Sequence, residues 1–320
     1  MEQYILLKSS GYYAIFDANC LEGAVFMDLM TLRKALESEN YIFDEDFLVT
    51  VFIAVKLGKP LLIEGAAGVG KTEVAKVLAS AFGAELIRLQ CYQGLDESKA
   101  LYEWNYQKQL LSIQMGKWGC DDKKDRRELE SLFSREYILE RPLLKAINSE
   151  QKTVLLIDEV DKADEEFEAF LLELLSDFQV SVPELGTVRA KNRPVVILTS
   201  NNTRQLSDAL KRRCAYLFID YPSIEKETMI INAKLPGVSR RLAQDVAAAV
   251  AYLRKNDRIF KKPSIAETLD WASALMALDK SRLDEDGVNK TLGFILKNRD
   301  DIVEFQKGGG FSEFFDGKHS

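Results

Sequence analysis

The stretch LLIEGAAGVGKT, residues 61–72, decides the fold of this chain of 320 residues. Its first three residues are an apolar run that predicts a short buried strand, and residues 73–82 carry a helical pattern. Between them, residues 65–72 have the GxxxxGK[ST] spacing of a phosphate-binding loop. Glycines let backbone N–H groups approach phosphate oxygens, and the following helix adds a partial positive charge at its N-terminus. A glycine-rich turn that binds nothing is the disfavoured alternative, because the strand and the helix are both present.

The loop predicts a site for a nucleoside triphosphate and Mg²⁺. Lys71 is expected to reach the β- and γ-phosphates, and the Thr72 hydroxyl is expected to hold the metal ion. The predicted nucleotide-binding residues are Gly65, Ala67, Gly68, Val69, Gly70, Lys71, Thr72 and Glu73.

The composition narrows the range of functions. A net charge of −7 argues against a general affinity for nucleic acid or anionic membranes, although it does not exclude a local basic patch. No apolar run approaches the roughly 20 residues that span a bilayer, and the N-terminal sequence MEQYILLKSSGYY is a poor signal peptide. The cysteines form no CxxC pair, which predicts reduced thiols in a cytoplasmic protein. They are Cys20, Cys91, Cys120 and Cys214. Because His319 is the only histidine, a zinc site is disfavoured.

A second apolar run, in TVLLIDEVD at residues 153–161, ends in two adjacent carboxylates. An unbroken apolar run is expected of a strand that is buried on both faces of a parallel sheet, and ligands sit at the carboxyl ends of such strands. Asp158 would help to hold Mg²⁺, and Glu159 would polarise the attacking water. A plain helix cap is the alternative, and Lys71 in the same chain makes it the weaker one.

A third apolar run, VVILT at residues 195–199, is followed by Ser-Asn-Asn. An amide at this point can reach the γ-phosphate and the attacking water, so Asn201 is the candidate. The alternative is an asparagine that only forms a turn. Further on, Arg212 and Arg213 lie near the end of a predicted helix, where two arginines could also merely complement the helix dipole.

The sequence as a whole predicts that the chain has four parts. They are an N-terminal extension at 1–40, an α/β nucleotide-binding domain at 41–221, a small all-helical lid at 222–307 and a flexible tail at 308–320. Within the α/β domain, residues 90–118 are rich in aromatic residues and form either a locally packed helical insert or a pore- or partner-facing element.

The order of these motifs resembles the AAA+ ATPases, and the flanking sequence is most similar to their MoxR-type branch. The resemblance covers about residues 41–278. It is carried by LIEGAAGVGKTEVAKVLA, RLQCYQGLDESKALYEWNYQKQLL, FSREYILERPLLKAI, LLIDEVDKADEEFEAFLLELLSDFQVSVPELGTV, LTSNNTRQLSDALKRRCAYLFIDYPS and KPSIAETLDWASAL.

The resemblance implies a five-stranded parallel sheet, a helical lid and a ring, usually a hexamer, with ATP and Mg²⁺ between protomers. Lys71, Thr72, Asp158 and Glu159 match the two Walker motifs, and Asn201 matches sensor 1. Arg213 best matches the arginine finger that acts on a neighbour's γ-phosphate, with Arg212 second. The aromatic insert and a hairpin at 180–191 match the family's two extra pore-facing elements.

One departure concerns the lid. The family's lid helix usually opens with a sensor-2 arginine, and the matching segment, residues 263–267, has none. Nearby Arg258, Lys261 or Lys262 could substitute, or the lid could sense the γ-phosphate weakly.

The predicted function is therefore that of a MoxR-type AAA+ ATPase. It would hydrolyse ATP to remodel or metal-load a partner complex, with a von Willebrand factor A domain protein as a possible partner. A nucleic-acid motor or loader is one alternative, against which the acidic balance argues. A non-hydrolysing nucleotide switch is the other, against which the Asp158–Glu159 pair argues.

Overall fold

The computed structural model describes residues 4–9, 12–17, 28–115, 134–182 and 186–316. The chain divides into two compact units. Unit 1 comprises Met1–Ala35, Asp44–Glu64 and Thr72–Phe218, and unit 2 comprises Leu36–Phe43, Gly65–Lys71 and Ile219–Ser320.

The regular elements are numbered in chain order. The strands are β1 Tyr4–Ser9, β2 Tyr12–Asp17, β3 Leu61–Gly65, β4 Glu85–Gln90, β5 Tyr102–Trp104, β6 Ile138–Glu140, β7 Thr153–Asp158, β8 Gln179–Val182, β9 Gly186–Arg189, β10 Val195–Ser200 and β11 Ala215–Ile219. The helices are α1 Leu29–Ser38, α2 Glu45–Lys56, α3 Lys71–Phe82, α4 Glu97–Leu101, α5 Tyr106–Met115, α6 Pro142–Asn148, α7 Glu165–Asp177, α8 Asp208–Arg213, α9 Ile224–Lys234, α10 Arg240–Lys255, α11 Ile265–Ala277, α12 Glu285–Ile295, α13 Arg299–Lys307 and α14 Ser312–Asp316.

A five-stranded parallel sheet in the order β11-β3-β10-β7-β4 confirms the predicted fold class. Every residue of β3 and of β7 is buried, which is why both strands appear in the sequence as unbroken apolar runs rather than as alternating ones. Strand β10 lies between β3 and β7, with Leu198 opposite Ile157 at the last β10–β7 pair. The carboxyl ends of β7 and β10 are therefore side by side.

Helix α7 carries much of the core of unit 1. The Asp164 side chain accepts a hydrogen bond from the Phe167 N–H and so caps the helix N-terminus. Phe167, Leu171 and Leu174 recur at helical spacing, and at most 2% of each is exposed. The apolar side of this helix is therefore the side that packs into the core.

Residues 90–115 of the aromatic insert form a small packed unit with an exposed helix, and residues 116–118 lie outside the described part. Strand β5 pairs with β6 in antiparallel fashion, and Leu101, just before β5, is buried in the core of unit 1. Helix α5 exposes Tyr106, Leu110 and Leu111, each by more than half. Of the two predictions, the locally packed helical insert fits α4 and β5, whereas α5 keeps an apolar surface open. The predicted hairpin is confirmed by the pairing of β8 with β9.

From Ile224 to Asp316, the regular elements of unit 2 are all helices, as the sequence predicts. A capping box begins α11, in which Ser264 and Glu267 each bond the other's backbone N–H. The core surrounds Trp271, which is fully buried and donates its indole N–H to Thr291 Oγ1 at 2.7 Å. Among the described residues, no helix combines the length and the apolar character that a membrane crossing requires.

The structure differs from the predicted flexible tail. Residues 312–316 form α14, and Phe311, which precedes it, is 4% exposed. The Phe311 ring lies 4.9 Å from that of Phe305 and 6.1 Å from that of Trp271, measured between centroids. The three glycines before it, residues 308–310, suggest a loose segment in the sequence, but they allow a tight turn that returns the chain to the core. Residues 317–320 lie outside the described part.

Removing residues 308–320 is therefore expected to destabilise unit 2. The deletion removes the buried Phe311 side chain, and such a loss costs about 3–5 kcal/mol. Urea unfolding followed by tryptophan fluorescence measures the change, with removal of residues 317–320 as the matched control. Equal unfolding midpoints for the two truncated chains would contradict the packing role of Phe311.

Candidate functional site

The phosphate-binding loop joins β3 to α3. Gly68 and Gly70 have φ values of +74° and +93°, which side chains with a Cβ rarely adopt. Lys71 Nζ donates hydrogen bonds to the carbonyl oxygens of Gly65 at 2.9 Å and of Ala66 at 2.7 Å. The lysine ammonium therefore lies over the loop. Val69 is 4% exposed and anchors the loop, while Glu73 pairs with Lys76 one turn along α3.

The start of α11 packs against this loop within unit 2. The Ile265 N–H donates to the Gly68 carbonyl oxygen at 3.1 Å. A Cβ on Gly68 would lie 2.3 Å from the Ser264 Cβ, so only glycine fits at this position. The segment that lacks a sensor-2 arginine thus contacts the loop through a serine and a backbone N–H. The signal for Ser264 in the sequence was the capping box, Ser264 followed by Glu267.

Asp158, from the second predicted motif, contacts Thr72 within unit 1. The Thr72 hydroxyl donates to the Asp158 carboxylate, with Oδ1 at 3.1 Å and Oδ2 at 3.4 Å. Asp158 is 3% exposed. A hydroxyl and a carboxylate are the hard oxygen donors that Mg²⁺ prefers, and two protein donors suit an ion that keeps several waters and binds substrate phosphates. These residues therefore fit a magnesium ion.

Thr199, the penultimate residue of β10, connects the two carboxylate-bearing residues. Its hydroxyl donates to Asp158 Oδ1 at 2.5 Å and accepts from the Glu159 N–H at 2.9 Å. Thr199 is fully buried. The sequence analysis missed it, because a threonine at the end of an apolar run carries no motif.

Glu159 has a constrained backbone and a side chain with several partners. Its φ and ψ of 56° and 49° lie in the left-handed region, which is costly for a residue other than glycine. Its carboxylate accepts from Asn201 Nδ2 at 3.3 Å and from Gln90 Nε2 at 2.7 Å. Lys162 Nζ lies 2.6 Å from Glu159 Oε2. The structure thus brings the predicted Asn201 to the predicted Glu159, and adds Gln90 from β4.

Arg88 is a second side chain that the sequence analysis missed. Its Nε and Nη2 donate to Asp158 Oδ2 at 3.0 Å and 2.5 Å, and Nη2 also donates to Gln90 Oε1. Half of the Arg88 side chain is exposed, while Asp158 is buried. Nothing in the sequence ELIRLQ distinguishes this arginine from one on the solvent face of a strand.

The predicted arginines lie at the end of α8. Both are exposed, and Arg213 donates from Nε to Ser176 Oγ at 2.8 Å. In the part of the chain that the structure describes, neither Arg212 nor Arg213 hydrogen-bonds to Thr72, Asp158 or Glu159. The roles predicted for Arg212 and Arg213 concern the phosphates of a neighbouring copy, so they stay predictions here.

Burial makes the two described cysteines poor nucleophiles. Cys91 is buried beneath the acidic cluster, and burial first, then the nearby carboxylate of Asp158, raises its pKa to about 12. Burial likewise raises the pKa of Cys214 to about 12. Cys20 and Cys120 lie outside the described residues.

Asp161 organises the loop that carries Asn201. Its carboxylate accepts from the backbone N–H groups of Asn201 at 3.2 Å and Thr203 at 3.0 Å, and from the Thr203 hydroxyl at 2.5 Å. Burial alone would raise the pKa of this carboxyl, but the hydrogen bonds from Thr203 and Asn201 outweigh it, so the pKa is lowered. The loop therefore depends on the ionised Asp161 carboxylate, which accepts all three hydrogen bonds.

A parallel sheet that carries a phosphate loop, paired carboxylates and an asparagine at its strand ends defines the AAA+ P-loop fold. Residues 60–214 match the family described as AAA domain, dynein-related subfamily. Residues 60–214 are thus similar to AAA domains, in keeping with the fold of the sheet and loop.

The chain is also similar to solved structures of one bacterial protein. The RuvB Holliday junction branch migration motor of Thermotoga maritima is 18% identical, with 85% of this chain and 68% of that chain covered and a TM-score of 0.42. A variant of the same protein is 19% identical, with 86% and 72% covered and a TM-score of 0.45. A search of the curated proteins finds no match.

Replacing Asp161 with asparagine is expected to destabilise the protein in a pH-dependent way. The lowered pKa means that the Asp161 carboxylate stabilises the fold above its ordinary value of 3.8 and ceases to do so as the pH falls through the lower folded value. At neutral pH the loss should be about 1–3 kcal/mol. Urea unfolding at pH 7 and pH 3 measures the gap between wild type and Asp161→Asn, which should shrink in acid.

Thr203→Val provides the matched control, since it removes one of the donors to Asp161. Its destabilising effect should be smaller in the Asp161→Asn background than in the wild type. A gap that stays constant across the pH range would contradict the role assigned to the charge.

Proposed function

We propose that the chain is a Mg²⁺-dependent ATPase of the MoxR type, which hydrolyses ATP at the protomer interfaces of a ring. One observation supports hydrolysis: Thr72 hydrogen-bonds to Asp158 and Asn201 hydrogen-bonds to the adjacent Glu159, which brings together three segments that are distant in the sequence. Each is the residue type that the cleavage of a phosphoanhydride by water needs at its position.

The chemistry assigned to these residues follows from their atoms. The backbone N–H groups of the loop and the Lys71 ammonium bind phosphate oxygens. Thr72 and Asp158 hold Mg²⁺, which when bound supplies charge neutralisation to the phosphates. The Glu159 carboxylate orients the attacking water and takes its proton. Asn201 donates from its amide to the Glu159 carboxylate, and the proposal assigns it a second contact, with the attacking water.

Work on a client is the second part of the proposal. A ring, usually a hexamer, would place Arg213, or Arg212, at the phosphates of the neighbouring copy. Energy from hydrolysis would remodel or metal-load a protein complex in the cytoplasm, with a von Willebrand factor A domain protein as a candidate partner. The exposed apolar surface of α5 supports contact with another protein chain.

Glu159→Gln is expected to bind ATP as tightly as the wild type and to hydrolyse it at least about 10²-fold more slowly, because the amide cannot take a proton from water. Steady-state phosphate release and equilibrium binding of a fluorescent ATP analogue measure the two properties. Lys71→Ala is the companion variant, which should lose binding as well. Normal turnover in Glu159→Gln would refute its catalytic role, and a DNA-stimulated rate in the wild type would favour a nucleic-acid motor.

Arg213→Ala is expected to lose about 10³-fold or more in rate if the arginine acts on a neighbour's phosphates. Mixing it with Lys71→Ala protomers should restore part of the activity, since some interfaces then combine an intact loop with an intact arginine. Arg212→Ala in the same mixture identifies which arginine acts. Failure to recover activity at every mixing ratio would exclude catalysis between protomers.

A further inference from the structure

We infer that Thr199 is a positioning residue for both metal binding and water activation, an assignment that rests on the proposed ATPase function. One buried hydroxyl fixes the Asp158 carboxylate through its proton and the Glu159 backbone through its oxygen. Neither of the two Walker motifs contains this residue.

The sheet register places Thr199 where it can make both contacts. The β10–β7 pairing ends with Leu198 opposite Ile157, so the next residues along the two strands are Thr199 and Asp158. On its other side Thr199 pairs with Ile63 of β3. The position is thus fixed from two neighbouring strands, and the side chain is fully buried.

The Thr199 hydroxyl makes one hydrogen bond as a donor, to Asp158, and one as an acceptor, from Glu159. A threonine hydroxyl has one proton to donate, and Thr199 gives it to Asp158 Oδ1 at 2.5 Å. A lone pair accepts the Glu159 N–H at 2.9 Å. The first bond sets the rotation of the carboxylate that Thr72 also contacts. The second holds the peptide from which the Glu159 side chain departs.

The backbone of Glu159 shows why the second bond matters. A left-handed residue other than glycine costs on the order of 1–3 kcal/mol and persists only when its surroundings enforce it. The bond from the Glu159 N–H to Thr199 is one such restraint at φ 56°. Without it, the N–H loses its partner and the backbone is free to relax, which would move the carboxylate away from Asn201.

Valine separates this role from packing, because it has the shape of threonine without the hydroxyl. Asp158 keeps Thr72 and Arg88 as partners in Thr199→Val, so the carboxylate is not left unpaired. Thr199→Ser keeps the hydroxyl and removes a methyl group. Thr153→Val is the matched control: Thr153 is a buried threonine at the opposite end of β7, and its hydroxyl bonds only the carbonyl of nearby Gln151.

The experiment has a binding arm and a rate arm. The binding arm measures, by electron paramagnetic resonance, the affinity of Mn²⁺ for the protein saturated with ADP. We expect Thr199→Val to bind ADP normally in EDTA but to bind Mn²⁺ about 10–100-fold more weakly, as is typical when a residue that orients a metal ligand is lost. In the rate arm, kcat should fall by a similar factor while the KM for ATP changes little. Thr199→Ser should restore both, and Thr153→Val should leave both unchanged.

Two results would overturn the inference. One is Mn²⁺ affinity and kcat in Thr199→Val that equal those of the wild type. The other is a serine variant as defective as the valine variant, which would assign the effect to packing. If Thr199→Val does not fold, Thr199→Cys, whose thiol is a much weaker donor and acceptor, replaces it with the same expectations.

The design also separates this inference from the proposed function. A wild-type protein that binds Mn²⁺ and ADP but releases no phosphate would overturn the proposed hydrolysis, while the Mn²⁺ arm would still decide the role of Thr199. A wild type that binds neither would overturn both.

Discussion

The carboxylate of Asp158 is the group on which the rest of the site depends. A buried carboxylate is tolerated only when its oxygens are hydrogen-bonded. Here Oδ1 receives the hydroxyls of Thr72 and Thr199, and Oδ2 receives the guanidinium of Arg88. These donors come from α3, β10 and β4, which meet because parallel strands present their carboxyl ends at one edge of the sheet. The Arg88 guanidinium forms an ion pair with the Asp158 carboxylate, which is also the carboxylate assigned to the metal. Metal binding and this ion pair therefore involve the same group. The register of the sheet therefore determines the electrostatics of the site.

The sequence identifies strand-end residues that the structure brings together, but it does not reveal their partners. Asp158 could be identified because two carboxylates end an apolar run, and the apolar run itself reports burial on both faces of the sheet. Arg88, Gln90 and Thr199 could not, because a side chain on a strand acquires its partner from the alignment of neighbouring strands. One sequence does not show which residues of two neighbouring strands lie opposite each other. Phe311 was missed for a related reason: a run of three glycines predicts freedom of the backbone, whereas the packing of one aromatic ring decides where the chain goes.

The loop-facing end of α11 shows how a missing residue can be replaced by a different kind of contact. An arginine at this position would recognise phosphate by charge, and it would respond to the nucleotide directly. Ser264 and the Ile265 N–H instead contact Gly68, so they respond to the conformation of the loop. A buried ion pair holds the same segment, since Arg254 Nη1 and Nη2 bond Glu227 and its Nε donates to the Pro263 carbonyl at 2.9 Å. Any movement of Gly68 would therefore meet a restrained neighbour within unit 2.

The proposed ring would place a requirement on α8. An arginine that serves a neighbouring copy must be held firmly by its own subunit, because a mobile cation gains little at a distant phosphate. Lys211, which precedes Arg212, lies 3.6 Å from the buried Glu64 near the end of β3, and the Tyr216 hydroxyl donates to the same carboxylate at 2.9 Å. A residue on each side of the arginines is thus tied to the strand that leads into the phosphate loop. In the proposed ring, this carboxylate would couple a shift of β3 to the helix that carries the arginines.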